Sequence, residues 1–336
     1  MDRSNDESDL IALICSGQAV LMAGAGTSVP RYGTWDDLLD GLERLAQVHG
    51  RDFRAEPDRR ANDFLSYVDD IATALNAAGE GDRYLNYLRT QFAPRDGEVD
   101  ELHQLLVSLP FRGLMTTNYD PSFSAALAQA SAGSFDHVRN LAGDPPGSVD
   151  DWLRSLAEGH LPPRLILHCH GYYLHPESIV LGARDYRRLY GELPPGDTDP
   201  ETGFGPIRTR ATRPFQILQA VVMAHPLVFV GFSMRDPAFR ALVDFVMRLL
   251  WRFTADSSRT FILLPATGDN ELSTSRTDEL GVRVVRYEQV DACHAGLTDL
   301  LRRVHARCGS ALASGSPPEA WWRAAYRLGR QLVEPS

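Results

Sequence analysis

The chain has 336 residues, 43% hydrophobic and 23% charged, with a formal net charge of −10 at pH 7. Those values fit an ordinary globular protein without repeats, long enough for one large α/β unit with a helical insertion, and the acidic balance argues against a nucleic-acid surface spread over the fold. No lysine occurs anywhere, so Walker-type phosphate loops, Schiff-base enzymes and pyridoxal enzymes, each dependent on a lysine amine, are excluded together.

Ser8 to Ser16 reads as a short amphipathic helix stopped by Gly17, and Ala19 to Ala23 as a buried strand entering a glycine turn. Thr34 is placed to cap a helix, with Asp37 three residues on and Leu38, Leu39, Leu42 and Leu45 forming one face. The pattern stays helical to about Leu109, defining an insertion over about 34–109. Arg112 to Thr116 resumes strand character, and Asp120 followed by Pro121 suits the start of a helix through Ala130. Arg164 to His170 and Ser178 to Leu181 read as strands, and the Pro/Gly-rich stretch from Glu192 to Pro206 as a long surface loop. Arg208, Arg210 and Arg213 then form the solvated start of the next helix.

Pro214 to Ala224 is helical, Leu227 to Val230 is a buried strand, and GFSMRDPAF turns into a helix towards Trp251. Strands at Phe261 to Leu264 and Val282 to Arg286 alternate with helices near Glu271 to Leu280 and Cys293 to Ala306. This alternation implies a doubly wound, mainly parallel α/β sheet over residues 1–308. Residues 309–336 read as a linker and an amphipathic helix with Trp321, Ala325, Leu328 and Leu332 on one stripe. The cysteines Cys15, Cys169, Cys293 and Cys308 include no CxxC pair, so no tetrahedral zinc site is spelled out and no metal is expected. With an acidic start and no apolar run approaching about 18 residues, a cytoplasmic location is expected.

Four polar or glycine corners follow strands. Met22-Ala23-Gly24-Ala25-Gly26-Thr27-Ser28 lets backbone N–H groups approach a pyrophosphate, although Val29 stands where a dinucleotide fingerprint has its third glycine. Asn118 and Asp120 can grip ribose hydroxyls or orient a water; on their own they more readily close an Asx-turn and cap a helix. In His168-Cys169-His170-Gly171 an extended strand puts both histidines on one face, where an imidazole can act as base or simply sit satisfied in the core. Ser233 and Asp236 of Gly231-Phe232-Ser233-Met234-Arg235-Asp236-Pro237 fit a capping box or a nucleotide's adenosine side. In a parallel sheet all four converge on one crevice.

Taken together, GAGTSVPRYGTW, TTNYD, the HG of HCHG, SIVLGARDY and VGFSMRDPAF resemble, in order and spacing, the sirtuin-like proteins of bacterial anti-phage defence, over about Ala19 to Phe239. The resemblance implies a sirtuin-like Rossmann-type domain that hydrolyses NAD to nicotinamide and ADP-ribose. By motif, Asn118 would position the nicotinamide ribose and attacking water, His170 would be the general base and Asp120 would support the ribose. Gly24, Ala25, Gly26, Thr27 and Ser28 would hold the pyrophosphate, and Gly231 and Ser233 the adenosine side; His168 receives no role. Protein-deacylating sirtuins carry a four-cysteine zinc module that this sequence lacks, which leaves deacylation the weaker alternative beside a non-catalytic NAD-sensing module. An NAD-draining enzyme would harm its own cell, so it should be quiet until triggered. The resemblance suggests homo-oligomers, a HerA-type ATPase or an Argonaute-like protein as partners, with no membrane and no nucleic acid contacted directly.

Overall fold

The computed structural model describes residues 3–48, 50, 53, 63–96, 99–131, 136–159, 165–191, 212–232, 260–266, 282–289 and 295–313. Its strands are β1 (Val20–Ala23), β2 (Gly113–Thr116), β3 (Val138–Asn140), β4 (Ile166–His168), β5 (Leu227–Val230), β6 (Phe261–Pro265) and β7 (Arg283–Tyr287). They form one sheet of order β3-β4-β2-β1-β5-β6-β7, every pairing parallel. The helices, in chain order, are α1 (Arg3–Cys15), α2 (Val29–Tyr32), α3 (Trp35–Gln47), α4 (Phe64–Ala77), α5 (Gly81–Gln91) and α6 (Glu101–Ser108), followed by α7 (Ser122–Ser131), α8 (Pro146–Glu158), α9 (Ala183–Tyr190), α10 (Arg213–Ala224) and α11 (Ala295–Ala313).

The strands are short apolar runs because both faces of a parallel sheet are covered by helices. Period-two geometry sends alternate residues to opposite sides. Val20 and Met22 pack with Met115, Leu167, Phe229 and Ile262 beneath α8, α9 and α10, whereas Leu21 and Ala23 pack with Leu114, Ile166, Val228 and Val230 beneath α1, α6, α7 and α11. This is the doubly wound architecture expected from the β-α alternation.

A third apolar cluster lies among α3, α4 and α5 and takes in Tyr119, Ile179 and Leu181. Thr34 starts α3 with a reciprocal capping box: its hydroxyl accepts from Asp37 N, and its own N–H donates to Asp37 Oδ2 at 2.7 Å. The described part of the chain thus combines a Rossmann-like sheet with a helical layer that meets it through the loops after β2 and β4.

Several elements differ from their sequence reading. β3 and α8 lie between Ala130 and Arg164, where no element was expected; β3 is only three residues long, at one edge of the sheet, too short to show a period. Ser178 to Leu181 is not a strand. Pro176–Ser178 forms one 3-10 turn, and the chain then crosses the sheet's carboxyl edge with Val180 N donating to His170 O and Val180 O accepting from Tyr119 Oη, each at 2.8 Å. Backbone groups that a ladder would satisfy are satisfied by loops instead. Cys15 and Cys308, 293 residues apart, form a disulfide between α1 and α11. The expected loop from Glu192 to Pro206, the helices near Trp251 and Glu271 to Leu280, and the stripe from Trp321 to Leu332 lie outside the described residues.

The tightest backbone approach joins the turns after β1 and β5. A Cβ on Gly24 would stand 2.6 Å from Gly231 O, one on Gly26 2.9 Å from Gly231 Cα, and one on Gly231 2.5 Å from Thr27 N. Gly231 also has φ +62°, in the left-handed region. Gly231→Ala is therefore expected to cost roughly 1–3 kcal/mol from the backbone conformation alone, with the clash adding to it. Chemical denaturation checks this; an unchanged midpoint would contradict the close approach.

Candidate active site

The pairing register aligns the carboxyl ends of the central strands. Asn140, His168, Thr116, Ala23 and Val230 stand in one row across the sheet. The chain leaves β1 towards β2 on one side, while β5 lies on β1's other flank and leads towards β6 and β7. That reversal is where doubly wound sheets open a ligand crevice, and the residues after β1, β2, β4 and β5 border it.

After β1 the chain makes a 3-10 turn, Ala25–Thr27, and enters α2. Its N–H groups are largely committed. Gly24 N donates to Val230 O at 2.9 Å and Gly26 N to Gly231 O at 2.8 Å, while Thr27 N and Ser28 N close onto Gly24 O and Ala25 O. The two glycines therefore lock the first corner onto the fourth. Ala25 is the exposed residue of the turn.

Asn118 does not close an Asx-turn. Its Nδ2 donates across the crevice to Thr27 Oγ1 at 3.1 Å and Ser28 Oγ at 2.9 Å. The network fixes the orientation of the amide: Thr27 Oγ1 gives its one hydrogen to Gly24 O at 2.9 Å, so it can only accept from Asn118. Asn118 N donates to Thr116 Oγ1 at 3.0 Å, which itself donates to Ala23 O at 3.0 Å, and Asn118 O accepts from His168 Nδ1 at 2.8 Å. Of the polar atoms of Asn118, Oδ1 is the one that is buried without a hydrogen-bond partner among the described residues. The residue thus offers an acceptor, held from every side, to whatever donor enters.

β4 ends at His168, and Cys169 and His170 turn out of it ahead of Gly171, whose φ is +100°. The two histidines therefore do not share the face of one strand, as an extended segment would have required. His168 is fully buried, and its ring lies 4.6 Å from that of Tyr172. Because a carbonyl only accepts, Nδ1 carries the hydrogen and Nε2 the lone pair. Burial pulls the His168 pKa down to about 4; the Asn118 carbonyl and the Asp120 charge act the other way without overcoming it. His170, only 2% exposed, sits edge-on to Tyr186 and Tyr190 at 5.2 and 5.7 Å.

Asp120 is buried and accepts from Ser122 N at 3.0 Å, so its capping role is present. Its charge also reaches His168 and the phenol of Tyr32, whose pKa is raised by burial first and by Asp120 second. Asn118, Asp120, Thr27 and Ser28 are thereby brought into one electrostatic and hydrogen-bonded group with His168, while Gly24, Gly26 and Gly231 form its floor. Ser233 lies outside the described residues. Sequence reasoning passed over Thr116, Tyr32 and the place of His168. Thr116 looked like the last strand residue, and only the sheet register shows that its hydroxyl bridges two corners. Among the described residues no group of three or more His, Cys, Asp or Glu side chains is placed to hold a metal, and no helix is long and apolar enough to cross a membrane.

The neutral burial of His168 has a thermodynamic signature. Between the ordinary value of 6.5 and about 4, the unfolded chain binds a proton that the folded chain refuses. Stability contributed by this group is therefore lost as pH falls through that window and levels off below it, by on the order of 3 kcal/mol. Urea titrations of wild type and His168→Asn should show this part of the acid slope missing from the variant; identical slopes would contradict it.

The profile of the SIR2-like domain family matches residues 112–285. The chain is also 25% identical over 260 residues to the NAD(+) hydrolase ThsA of Bacillus cereus strain MSX-D12, an alignment covering 76% of this chain and 45% of that protein. The chain thus spans less than half the length of this relative.

Proposed function

This chain belongs to the SIR2-like domain family, and from that premise we propose that it is an NAD hydrolase, cleaving the nicotinamide–ribose bond to release nicotinamide and ADP-ribose. The observation that carries the reading is Asn118: a buried amide with both hydrogens spent inside the protein and its Oδ1 unpartnered at the carboxyl edge of the sheet. Such an acceptor suits a ribose hydroxyl or the hydrogen of an attacking water. The likeness to a protein named for NAD(+) hydrolysis supports the same reading.

In this reading the nicotinamide leaves as a neutral molecule while positive charge builds on the ribose as an oxocarbenium-like centre. Water forms the new C–O bond as the C–N bond breaks, and His170 accepts the proton that water gives up. Asp120 supports the ribose and places a negative charge near the developing cation. With the N–H groups of Gly24, Gly26, Thr27 and Ser28 already engaged, pyrophosphate contact falls to the exposed Ala25 backbone and the Ser28 hydroxyl, and Gly231 with Ser233 borders the adenosine side. The substrate is NAD, and no metal takes part.

The protein acts as a regulated effector of anti-phage defence in the cytoplasm, through self-assembly or with a HerA-type ATPase or an Argonaute-like partner. In that compartment Cys15 and Cys308 would stand largely as thiols. Residues 1–308 form the catalytic domain and the helices of 34–109 its insertion; α11 runs on to Ala313, past the linker start expected at 309.

Nicotinamide release from NAD by the purified chain, alone and at rising protein concentration, tests the reading. Release is expected to be low in dilute protein and to rise with assembly. Asn118→Ala and His170→Ala should each lower it by about 100-fold or more, with thermal midpoints near that of wild type. Robust turnover in either variant would contradict the residue roles. Tight NAD binding without release in any state would shift the reading to a sensing module.

A further inference from the structure

Among the described residues at the crevice, His168 is a histidine to which the proposed reaction gives no role. We infer that His168 is a positioning residue, whose Nδ1–H holds the Asn118 carbonyl and so fixes the direction in which the Asn118 side chain presents Oδ1. The inference rests on the NAD-hydrolase reading for its activity readout and on geometry for its physical content.

The two peptide groups that flank the Asn118 Cα are each held, one by the end of β2 and the other by the end of β4. Thr116 Oγ1 takes the Asn118 N–H at 3.0 Å, and His168 Nδ1 takes the Asn118 carbonyl at 2.8 Å. The side-chain amide is tied down in turn by Thr27 and Ser28. With the peptide planes on both sides of its Cα held, φ and ψ of Asn118 are fixed and with them the direction of the Cα–Cβ bond, while Thr27 Oγ1, which can only accept, decides which way the amide then faces. Thr116 and His168 are register partners on adjacent strands, so the sheet itself sets the spacing of the clamp.

His168 suits this role and not that of a proton carrier. Its ring is fully buried and packs on Tyr172, and its depressed basicity keeps it neutral at physiological pH. A neutral ring keeps one hydrogen on Nδ1 throughout a reaction cycle, as a positioning group requires. A lysine or arginine here would bring an uncompensated charge into the core.

Two near-isosteric substitutions separate the nitrogens. The amide of His168→Asn places a donor near the Nδ1 position, and that of His168→Gln places it near Nε2. In nicotinamide release under assembly conditions, His168→Asn should stay within about threefold of wild type, while His168→Gln should lose about 100-fold in kcat with little change in KM, the behaviour of a displaced reacting group. Equal turnover by the two variants, at whatever level, overturns the inference. So does a loss confined to KM.

A second measurement does not depend on turnover. The imidazole nitrogen spectrum of the 15N-histidine-labelled full chain should assign to His168 a neutral ring protonated on Nδ1 between about pH 5 and 8, with that signal absent from His168→Asn. A ring protonated on Nε2, or one that titrates in this range, overturns the inference. If wild type itself releases no nicotinamide, the hydrolase reading fails while this spectrum still decides whether His168 holds Asn118.

Discussion

A buried amide that spends both of its hydrogens inside the protein can offer a ligand only an acceptor, and in this chain that constraint falls on Asn118. Thr27 donates to the Gly24 carbonyl and must therefore accept from Asn118. That single commitment orients the side chain and leaves Oδ1 unmet. An unmet buried acceptor costs on the order of 1–3 kcal/mol, a cost that a ligand's hydroxyl or a water can recover on entering. In the proposed function the energetic defect and the binding feature are the same atom.

The rest of the architecture serves to hold that atom in place. Gly24, Gly26 and Gly231 bring the turns after β1 and β5 within backbone contact, which carries Thr27 and Ser28 to the reach of Asn118. The parallel register sets Thr116 beside Ala23 and His168, so that a hydroxyl and an imidazole meet the Asn118 peptide from neighbouring strands. The helical layer is tied to the same loops: Tyr119 packs on Phe92 at 4.9 Å and donates to Val180 O, and Tyr173 N returns a bond to Tyr119 O. Helices inserted far away in sequence thus brace the residue next to Asn118.

Much of this was legible beforehand because it rests on local chemistry. The apolar runs of β1, β2 and β5, the Thr34 and Asp37 capping box, and the glycine and Asn-x-Asp corners announce a doubly wound fold with its candidate site at the carboxyl edge. What escaped the sequence depends on partners far away in the chain. β3 is three residues at an edge, and Ser178 to Leu181 has strand-like composition but crosses loops that satisfy it differently. The separation of His168 from His170 follows from a turn at Cys169 that alternation alone cannot reveal. The Cys15–Cys308 pairing spans almost the whole sequence. The glycine corner also reads differently in three dimensions: its N–H groups are mostly committed, Gly24 and Gly26 to Val230 and Gly231 and Thr27 and Ser28 to the turn itself, so in the proposed function phosphate contact is left to Ala25 and Ser28.

Turnover of NAD in 18O-labelled water is the most direct test of whether this crevice performs hydrolysis. The account requires that each nicotinamide released be matched by one ADP-ribose carrying a single labelled oxygen at the anomeric carbon, without any acyl-peptide acceptor. Nicotinamide release that leaves the ribose unlabelled, or that depends on an acylated peptide, would contradict it.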